Sequence, residues 1–117
     1  MKRNEHENLV IQITNDSYGS KSDGLGENLM KAYIFTLTET SPRPKTILFI
    51  NRGALLTTDG SPVLDSLKAL EADGVEILTC GTCIDFFNLS PPPAAGTITN
   101  MQTIAKKLNN ADNTIVI

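Results

Sequence analysis

Short apolar runs alternate along the chain with segments whose apolar residues recur every three or four positions. The short runs are rich in β-branched residues and predict strands at residues 9–14, 46–51, 75–79, 97–99 and 114–117. The helical spacing predicts helices at residues 25–40, 61–74 and 101–108. This order predicts an α/β fold, in which helices cover both faces of a mostly parallel sheet, and leaves the strand order open.

Local signals mark the ends of these helices. Ser61 and Pro62 predict a helix start, because a hydroxyl N-cap is followed by proline at the first helical position. Asn100 is the expected N-cap of the last helix. Residues 84–89 predict one further helical turn, and the three prolines at 91–93 predict a stiff extended segment.

Length and charge narrow the class of protein. The 117 residues fit one domain, 1–117, in which the polar residues 1–8 are predicted to form a disordered tail. With 10 basic and 13 acidic residues and no basic patch, nucleic acid is not an expected partner. The longest apolar runs hold about five residues against the roughly 20 of a membrane span, and the N-terminus lacks a signal-peptide core. We therefore expect no membrane segment and a cytoplasmic protein.

Cys80 and Cys83 are the two cysteines of the chain and form a Cys-Gly-Thr-Cys motif directly after the predicted strand 75–79. In the reducing cytosol such a pair more often serves redox, metal or sulfur chemistry than a structural bridge. The alternative is that both are small hydrophobic core residues. Gly81 and Thr82 make the backbone between the thiols permissive, and we expect their N–H groups to shape the pocket.

Four chemistries could use this pair. Zinc needs about four ligands and the one histidine, His6, lies in the polar tail, so we expect no metal site within one chain, although a site shared between subunits stays open. Thioredoxin-type exchange places its motif after the first strand, not the third. A hydrolase would want a histidine base near the nucleophile. A sulfur carrier, which holds sulfur as a persulfide, requires the fewest additional residues and needs no cofactor.

Other candidate residues follow the neighbouring strands. Asn51 and Gly53 end the second strand, and Asp16 begins the loop after the first, so we expect them at the same sheet end as the thiols. Asn100 is the fourth candidate pocket residue, besides its role as a helix cap. The loop that holds Asp16 lacks the third glycine and the Gly-Lys-Ser/Thr of nucleotide sites, so a polar loop is the favoured interpretation.

The motifs together resemble the DsrE-like domain of the YedF family, which is described as sulfurtransferase-like and linked to selenium metabolism. The resemblance covers the chain from about Leu9 onward. It is carried by these segments: Asp23-x-Leu25-Gly26-x-x-Leu29-Met30, Thr46-Ile47-Leu48-Phe49-Ile50-Asn51-x-Gly53, Gly74-Val75-Glu76-Ile77-Leu78-x-Cys80-Gly81-Thr82-Cys83 and Gly96-x-Ile98-Thr99-Asn100-Met101.

The resemblance implies a three-layer α/β/α fold with a five-stranded parallel sheet and a homo-oligomer. It also implies that Cys80, just after the third strand, accepts sulfur, while Cys83 is the resolving or second thiol. Relatives often carry an N-terminal SirA/TusA-like domain, which these 117 residues lack. A cysteine desulfurase or a SirA/TusA-like domain is therefore the expected sulfur donor or acceptor.

The leading hypothesis is a sulfur or selenium carrier that acts through a persulfide on the Cys-Gly-Thr-Cys motif. One alternative is a non-catalytic oligomeric module that binds a partner through residues 86–93. The other is a thiol–disulfide exchange protein that uses the same two cysteines.

Overall fold

Five strands and four α-helices alternate along residues 8–117, the part of the chain described by the computed structural model. The strands are β1 (Leu9–Ile13), β2 (Thr46–Phe49), β3 (Glu76–Cys80), β4 (Thr97–Thr99) and β5 (Asn113–Val116). The helices are α1 (Leu25–Leu37), α2 (Leu64–Ala72), α3 (Gly81–Phe86) and α4 (Met101–Asn109), with two 3-10 segments at Ser22–Gly24 and Asn51–Leu56.

The strands form one sheet in the order β4-β3-β2-β1-β5, and each of the four neighbouring pairs is parallel. Ile11 of β1 pairs with Ile47 of β2, which in turn pairs with Ile77 of β3. This register brings the carboxyl ends of β1, β2 and β3 to one edge of the sheet. The predicted α/β fold with a five-stranded parallel sheet is confirmed.

Alternate residues of each strand face opposite sides of the sheet, and the two sides carry separate cores. The large-core face is covered by α1 and α2, and its buried residues are Ile11, Ile13, Met30, Ile34, Ile47, Phe49, Leu56, Val63, Leu67, Leu70, Val75, Ile77 and Ala95. The small-core face is covered by α4, and its buried residues are Val10, Leu48, Leu78, Cys80 and Ile104. Cys80 therefore belongs to the smaller core.

Two predicted helix starts were wrong. Helix α2 begins at Leu64, because Ser61 Oγ accepts the N–H of Val63 at 3.2 Å and so stabilises a turn ahead of the helix. Helix α3 begins at Gly81, three residues before the predicted turn at 84–89. Glycine and threonine are poor helix formers, so the sequence gives no sign of this start. The Asn100 cap is confirmed, since Asn100 Oδ1 accepts the N–H of Thr103 at 2.9 Å.

The chain bends at residues 91 and 92, so the predicted extended conformation of the proline segment was wrong. The chain turns inward after it, because the N–H groups of Ala94 and Ala95 donate to the Thr57 carbonyl at 2.8 and 3.2 Å. These contacts fix the backbone that leads into β4.

The predicted tail lies mostly outside the described residues, which begin at Asn8. Asn8 itself is held by the fold, because its N–H donates to Asp112 Oδ2 at 2.9 Å. Within residues 8–117, no helix has both the length and the apolar character needed to cross a membrane.

Candidate functional site

Cys80 and Cys83 lie at the carboxyl end of β3 and are both free thiols. Cys80 is the last residue of the strand and is only 4% exposed. Cys83 lies in the first turn of α3 and is partly buried. The strand-to-helix turn thus brings the two thiols together at different depths.

The backbone of Asn51 approaches Cys83 from the neighbouring strand end. Asn51 directly follows Ile50 at the end of β2, and its N–H donates to Cys83 Sγ at 3.0 Å. Asn51 has a φ of 53°, in the left-handed region that asparagine tolerates better than most residues. The preference of asparagine for this conformation therefore helps to aim a backbone donor at the thiol sulfur.

Burial of Cys83 raises the pKa of its thiol, and the neighbouring Cys80 thiol raises it further. The Asn51 N–H acts in the opposite direction but does not outweigh them, so the pKa of Cys83 lies above its usual 9.0. Cys83 is therefore mainly protonated at neutral pH. Its nucleophilic reactivity depends on the small thiolate fraction.

A pocket of about 380 Å³ opens beside the two thiols. Its lining residues are Ile50, Asn51, Cys80, Thr82, Cys83, Phe86, Phe87 and Met101. Phe86 and Met101 remain 78% and 60% exposed, and the Phe86 and Phe87 rings meet edge to face with their centroids 5.1 Å apart. The thiols therefore face a largely apolar pocket whose outer rim is open to solvent.

Arg52 connects this pocket to the loop after β1. Its guanidinium lies over the Phe87 ring at 5.8 Å and pairs with Asp16, whose carboxylate also binds Lys21. Burial alone would raise the pKa of Asp16, but hydrogen bonds from Arg52 and Lys21 outweigh it and hold this pKa below the usual value. Asp16 thus positions Arg52 and does not line the thiol pocket; it lines a neighbouring cavity of about 400 Å³.

Gly53 and Gly81 support the backbone around the pocket. A Cβ at Gly53 would lie 2.3 Å from the Ile13 carbonyl oxygen, so only glycine lets the segment after β2 pass the end of β1. A Cβ at Gly81 would lie 3.0 Å from the Ile98 Cγ2 atom, a longer contact with a side chain that can move.

Of the eight predicted site residues, the structure brings four together at the pocket: Cys80, Cys83, Asn51 and Thr82. The other four do not line the pocket. Asp16 forms an ion pair with Arg52, Gly53 and Gly81 allow close backbone packing, and Asn100 caps α4. Sequence reasoning missed Met101, which reaches the pocket because β4 pairs with β3 and Cys80 lies opposite Thr99. Its place in the Ile-Thr-Asn-Met segment of the resemblance was the one available signal.

In the described part of the chain, the side chains that could bind a metal ion around these thiols are few. Within residues 8–117, no three side chains among histidine, cysteine, aspartate and glutamate come together as ligands for an ion. The two thiols supply half of the four ligands that zinc prefers, and His6 lies outside the described residues.

The fold of this chain is similar to those of solved proteins. The ychN protein from E. coli has a similar fold, with a TM-score of 0.73 and 18% identity over 95% of this chain and 99% of that one. A conserved protein of unknown function from Bacteroides thetaiotaomicron is similar at a TM-score of 0.63 and 14% identity, over 94% and 95% of the two chains. No match was found among curated proteins. A model of the DsrE/DsrF-like family matches residues 8–117, so the chain belongs to the DsrE/DsrF-like family.

Proposed function

We propose that this protein carries sulfur as a persulfide on its Cys-Gly-Thr-Cys motif. The DsrE family is associated with sulfur relay. The observation that carries the proposal is the pair of free thiols at an apolar pocket, with the Asn51 N–H on the sulfur of Cys83. The resemblance to the YedF family extends the proposal to selenium, which would be held as the analogous perselenide.

The transfer step needs no cofactor. A cysteine thiolate of this protein attacks the outer sulfur of a donor persulfide, R–S–SH, and forms a new S–S bond. The donor S–S bond breaks, and the donor thiolate leaves with the bonding electron pair. One persulfide is consumed and one is formed, so the step requires no net oxidation. The Asn51 N–H lies 3.0 Å from Cys83 Sγ and would stabilise negative charge on that sulfur during the exchange.

The exposed side chains around the pocket suit a protein donor. Phe86, Ile98 and Met101 keep 78%, 45% and 60% of their surface exposed. Such apolar side chains can contact a partner that presents its persulfide on a loop or strand end. We expect a cysteine desulfurase or a SirA/TusA-like domain as donor or acceptor, a cytoplasmic location and a homo-oligomer.

The test is to incubate the purified protein with a cysteine desulfurase and L-cysteine and to measure its intact mass. We expect a gain of one sulfur atom that dithiothreitol removes. A variant with both Cys80→Ala and Cys83→Ser is the control and should gain nothing. If the wild-type protein takes no sulfur from several desulfurases or from inorganic polysulfide, the proposal is wrong.

Thiol–disulfide exchange is the second candidate, because the motif opens α3 and both thiols line the same pocket. It predicts a Cys80–Cys83 disulfide with a midpoint of roughly −300 to −200 mV. Failure to form that disulfide under mild oxidation would remove this candidate. The third hypothesis, a non-catalytic module, predicts instead that partner binding survives the double cysteine variant.

A further inference from the structure

We infer that Cys83 receives the sulfur atom and that Cys80 resolves the persulfide that forms there. This division rests on the proposed function and reverses the roles that the resemblance implies. It follows from three features of the turn between β3 and α3: the access of each sulfur, the donor on Cys83, and the pocket that both thiols line.

Access favours Cys83. Sulfur transfer between proteins requires the acceptor sulfur to reach the outer sulfur of the donor. Cys80 is 4% exposed and packs in the small core with Leu48, Leu78 and Ile104, so its sulfur is the more deeply buried of the two that line the pocket. Cys83 is partly exposed and lies on α3 between the exposed Thr82 and Phe86, so a donor cysteine can approach it more directly.

The hydrogen bond from Asn51 also favours Cys83. The Asn51 N–H lies 3.0 Å from Cys83 Sγ and is held there by the left-handed backbone at the end of β2. When Cys83 ionises, this contact becomes a charge-assisted hydrogen bond, which is stronger than the neutral one. Within residues 8–117, the hydrogen bonds include no backbone N–H that donates to Cys80 Sγ.

Cys80 is placed to act second. Cys83 packs against the small-core cluster that contains Cys80, and both residues line the same pocket, so the Cys80 sulfur lies on the inner side of a Cys83 persulfide. The Cys80 thiolate attacks the inner sulfur of this persulfide, the S–S bond to the outer sulfur breaks, and HS⁻ leaves with the electron pair. The outer sulfur is reduced to sulfide and the two cysteines are oxidised to a disulfide. A dithiol reductant, such as a cytosolic dithiol protein, must then restore the thiols.

The experiment compares Cys80→Ala with Cys83→Ser. Each variant and the wild-type protein are treated with inorganic polysulfide, and separately with a cysteine desulfurase and L-cysteine. Persulfides are trapped by alkylation and located by peptide mass spectrometry. We expect Cys80→Ala to gain sulfur on Cys83 and to keep it about tenfold longer than the wild-type protein, which releases sulfide and forms the disulfide. Cys83→Ser should gain sulfur at least about tenfold more slowly.

The possible outcomes separate this inference from the proposed function. If Cys83→Ser loads as fast as the wild-type protein and Cys80→Ala does not load, Cys80 is the acceptor and the inference is overturned while the carrier function stands. Equal loss of loading in both variants also overturns it, since the roles are then not divided. If neither the wild-type protein nor Cys80→Ala takes up sulfur and the wild-type protein releases no sulfide, the carrier function itself fails.

A second measurement uses only the wild-type protein and so does not depend on whether the variants fold. Limited alkylation of the reduced wild-type protein with iodoacetamide, followed by peptide mapping, gives the modification rate of each thiol. We expect Cys83 to be alkylated several-fold faster than Cys80, because its sulfur is the more accessible. Equal rates, or a faster Cys80, would contradict the inference even if both variants failed to fold.

Discussion

The large-core and small-core faces share the same strands but differ in how fully helices cover them. Two helices, α1 and α2, lie on the large-core face, where 13 buried residues form one cluster. On the small-core face α4 is the covering helix, and the cluster has 5 buried residues. Most of the apolar burial that stabilises the fold therefore lies on the face away from the thiols.

This difference explains why reactive groups can lie at the edge of the smaller core. Cys80 completes that core, whereas Cys83, Phe86 and Met101 extend past it toward solvent. A partner can approach this rim without opening the larger cluster. The large-core face fixes the strand ends, and the small-core face leaves the sulfur pocket accessible.

The largest expected effect comes from two adjacent residues of β2 that face opposite sides. Ile47 belongs to the large core and Leu48 to the small core, and both are fully buried. Truncation to alanine should cost about 2–5 kcal/mol, with Ile47→Ala toward the upper end, because the thinner layer over Leu48 can relax into the cavity. Urea denaturation measures both changes. A larger loss for Leu48→Ala would mean that the small core contributes more to stability than its size indicates.

The same pair should differ in its effect on the thiols. Leu48 packs in the cluster that contains Cys80, so Leu48→Ala should speed the alkylation of Cys80 by loosening its surroundings. Ile47→Ala is the matched control and should leave this rate unchanged under conditions where both variants are folded. Equal acceleration in both would show that the two faces are not independent.

The next effect concerns the two glycines beside the site. Gly53→Ala should cost about 1–3 kcal/mol, because the new Cβ would lie 2.3 Å from the backbone oxygen of Ile13, which cannot turn aside. Gly81→Ala should change stability by less than about 0.5 kcal/mol, because its close neighbour is the half-exposed side chain of Ile98. Thermal unfolding of both variants checks the contrast. A tolerated Gly53→Ala would mean that the segment after β2 can shift away from β1.

The alkylation of Cys83 should depend steeply on pH. Burial and the Cys80 thiol raise the pKa of Cys83 above 9.0, so the reactive thiolate is the minor form at neutral pH. The rate with iodoacetamide should rise about tenfold per pH unit below that pKa and should still be rising at pH 9. Peptide mapping of samples alkylated between pH 6 and about pH 10 measures this profile. A plateau near neutral pH would show that the thiol is ionised more easily than its surroundings indicate.

Variants of two exposed phenylalanines can distinguish an effect on partner contact from an effect on the reaction of the thiols. Phe86 lies at the pocket rim and Phe35 lies on α1, over the other face, with 78% and 53% of their surfaces exposed. Phe86→Ser should slow sulfur loading from a desulfurase several-fold, because it removes apolar contact area from the proposed docking rim. Phe35→Ser should leave loading unchanged. If Phe86→Ser slows loading from inorganic polysulfide by the same factor as loading from the desulfurase, Phe86 acts on the thiols and not on a partner.

The sequence predicts the elements well because short β-branched apolar runs and helices with apolar residues every three or four positions leave distinct patterns. It also places Asn51 near the cysteines, because parallel strands end at one edge of the sheet. It does not reveal the depth of each thiol, since the start of α3 at Gly81 leaves no propensity signal. Met101 escapes prediction for another reason: its contact depends on β4 pairing with β3, which local patterns do not encode.

The smallest expected effect concerns the ion pairs that hold Arg52. Asp16→Asn removes the carboxylate that binds Arg52 and Lys21, whose side chains are 46% and 48% exposed. Solvent screens such pairs, so the loss should be at most about 1 kcal/mol at pH 7. Because the pKa of Asp16 is lowered in the folded state, its contribution is present above the usual value of 3.8 and is lost as the pH falls through the lowered value. Urea denaturation at pH 7 and about pH 3 should therefore show a gap between wild-type and Asp16→Asn proteins that narrows in acid. A gap that widens in acid would mean that the Asp16 carboxyl is stabilised in its protonated form, so that Arg52 is held over Phe87 by packing and not by charge.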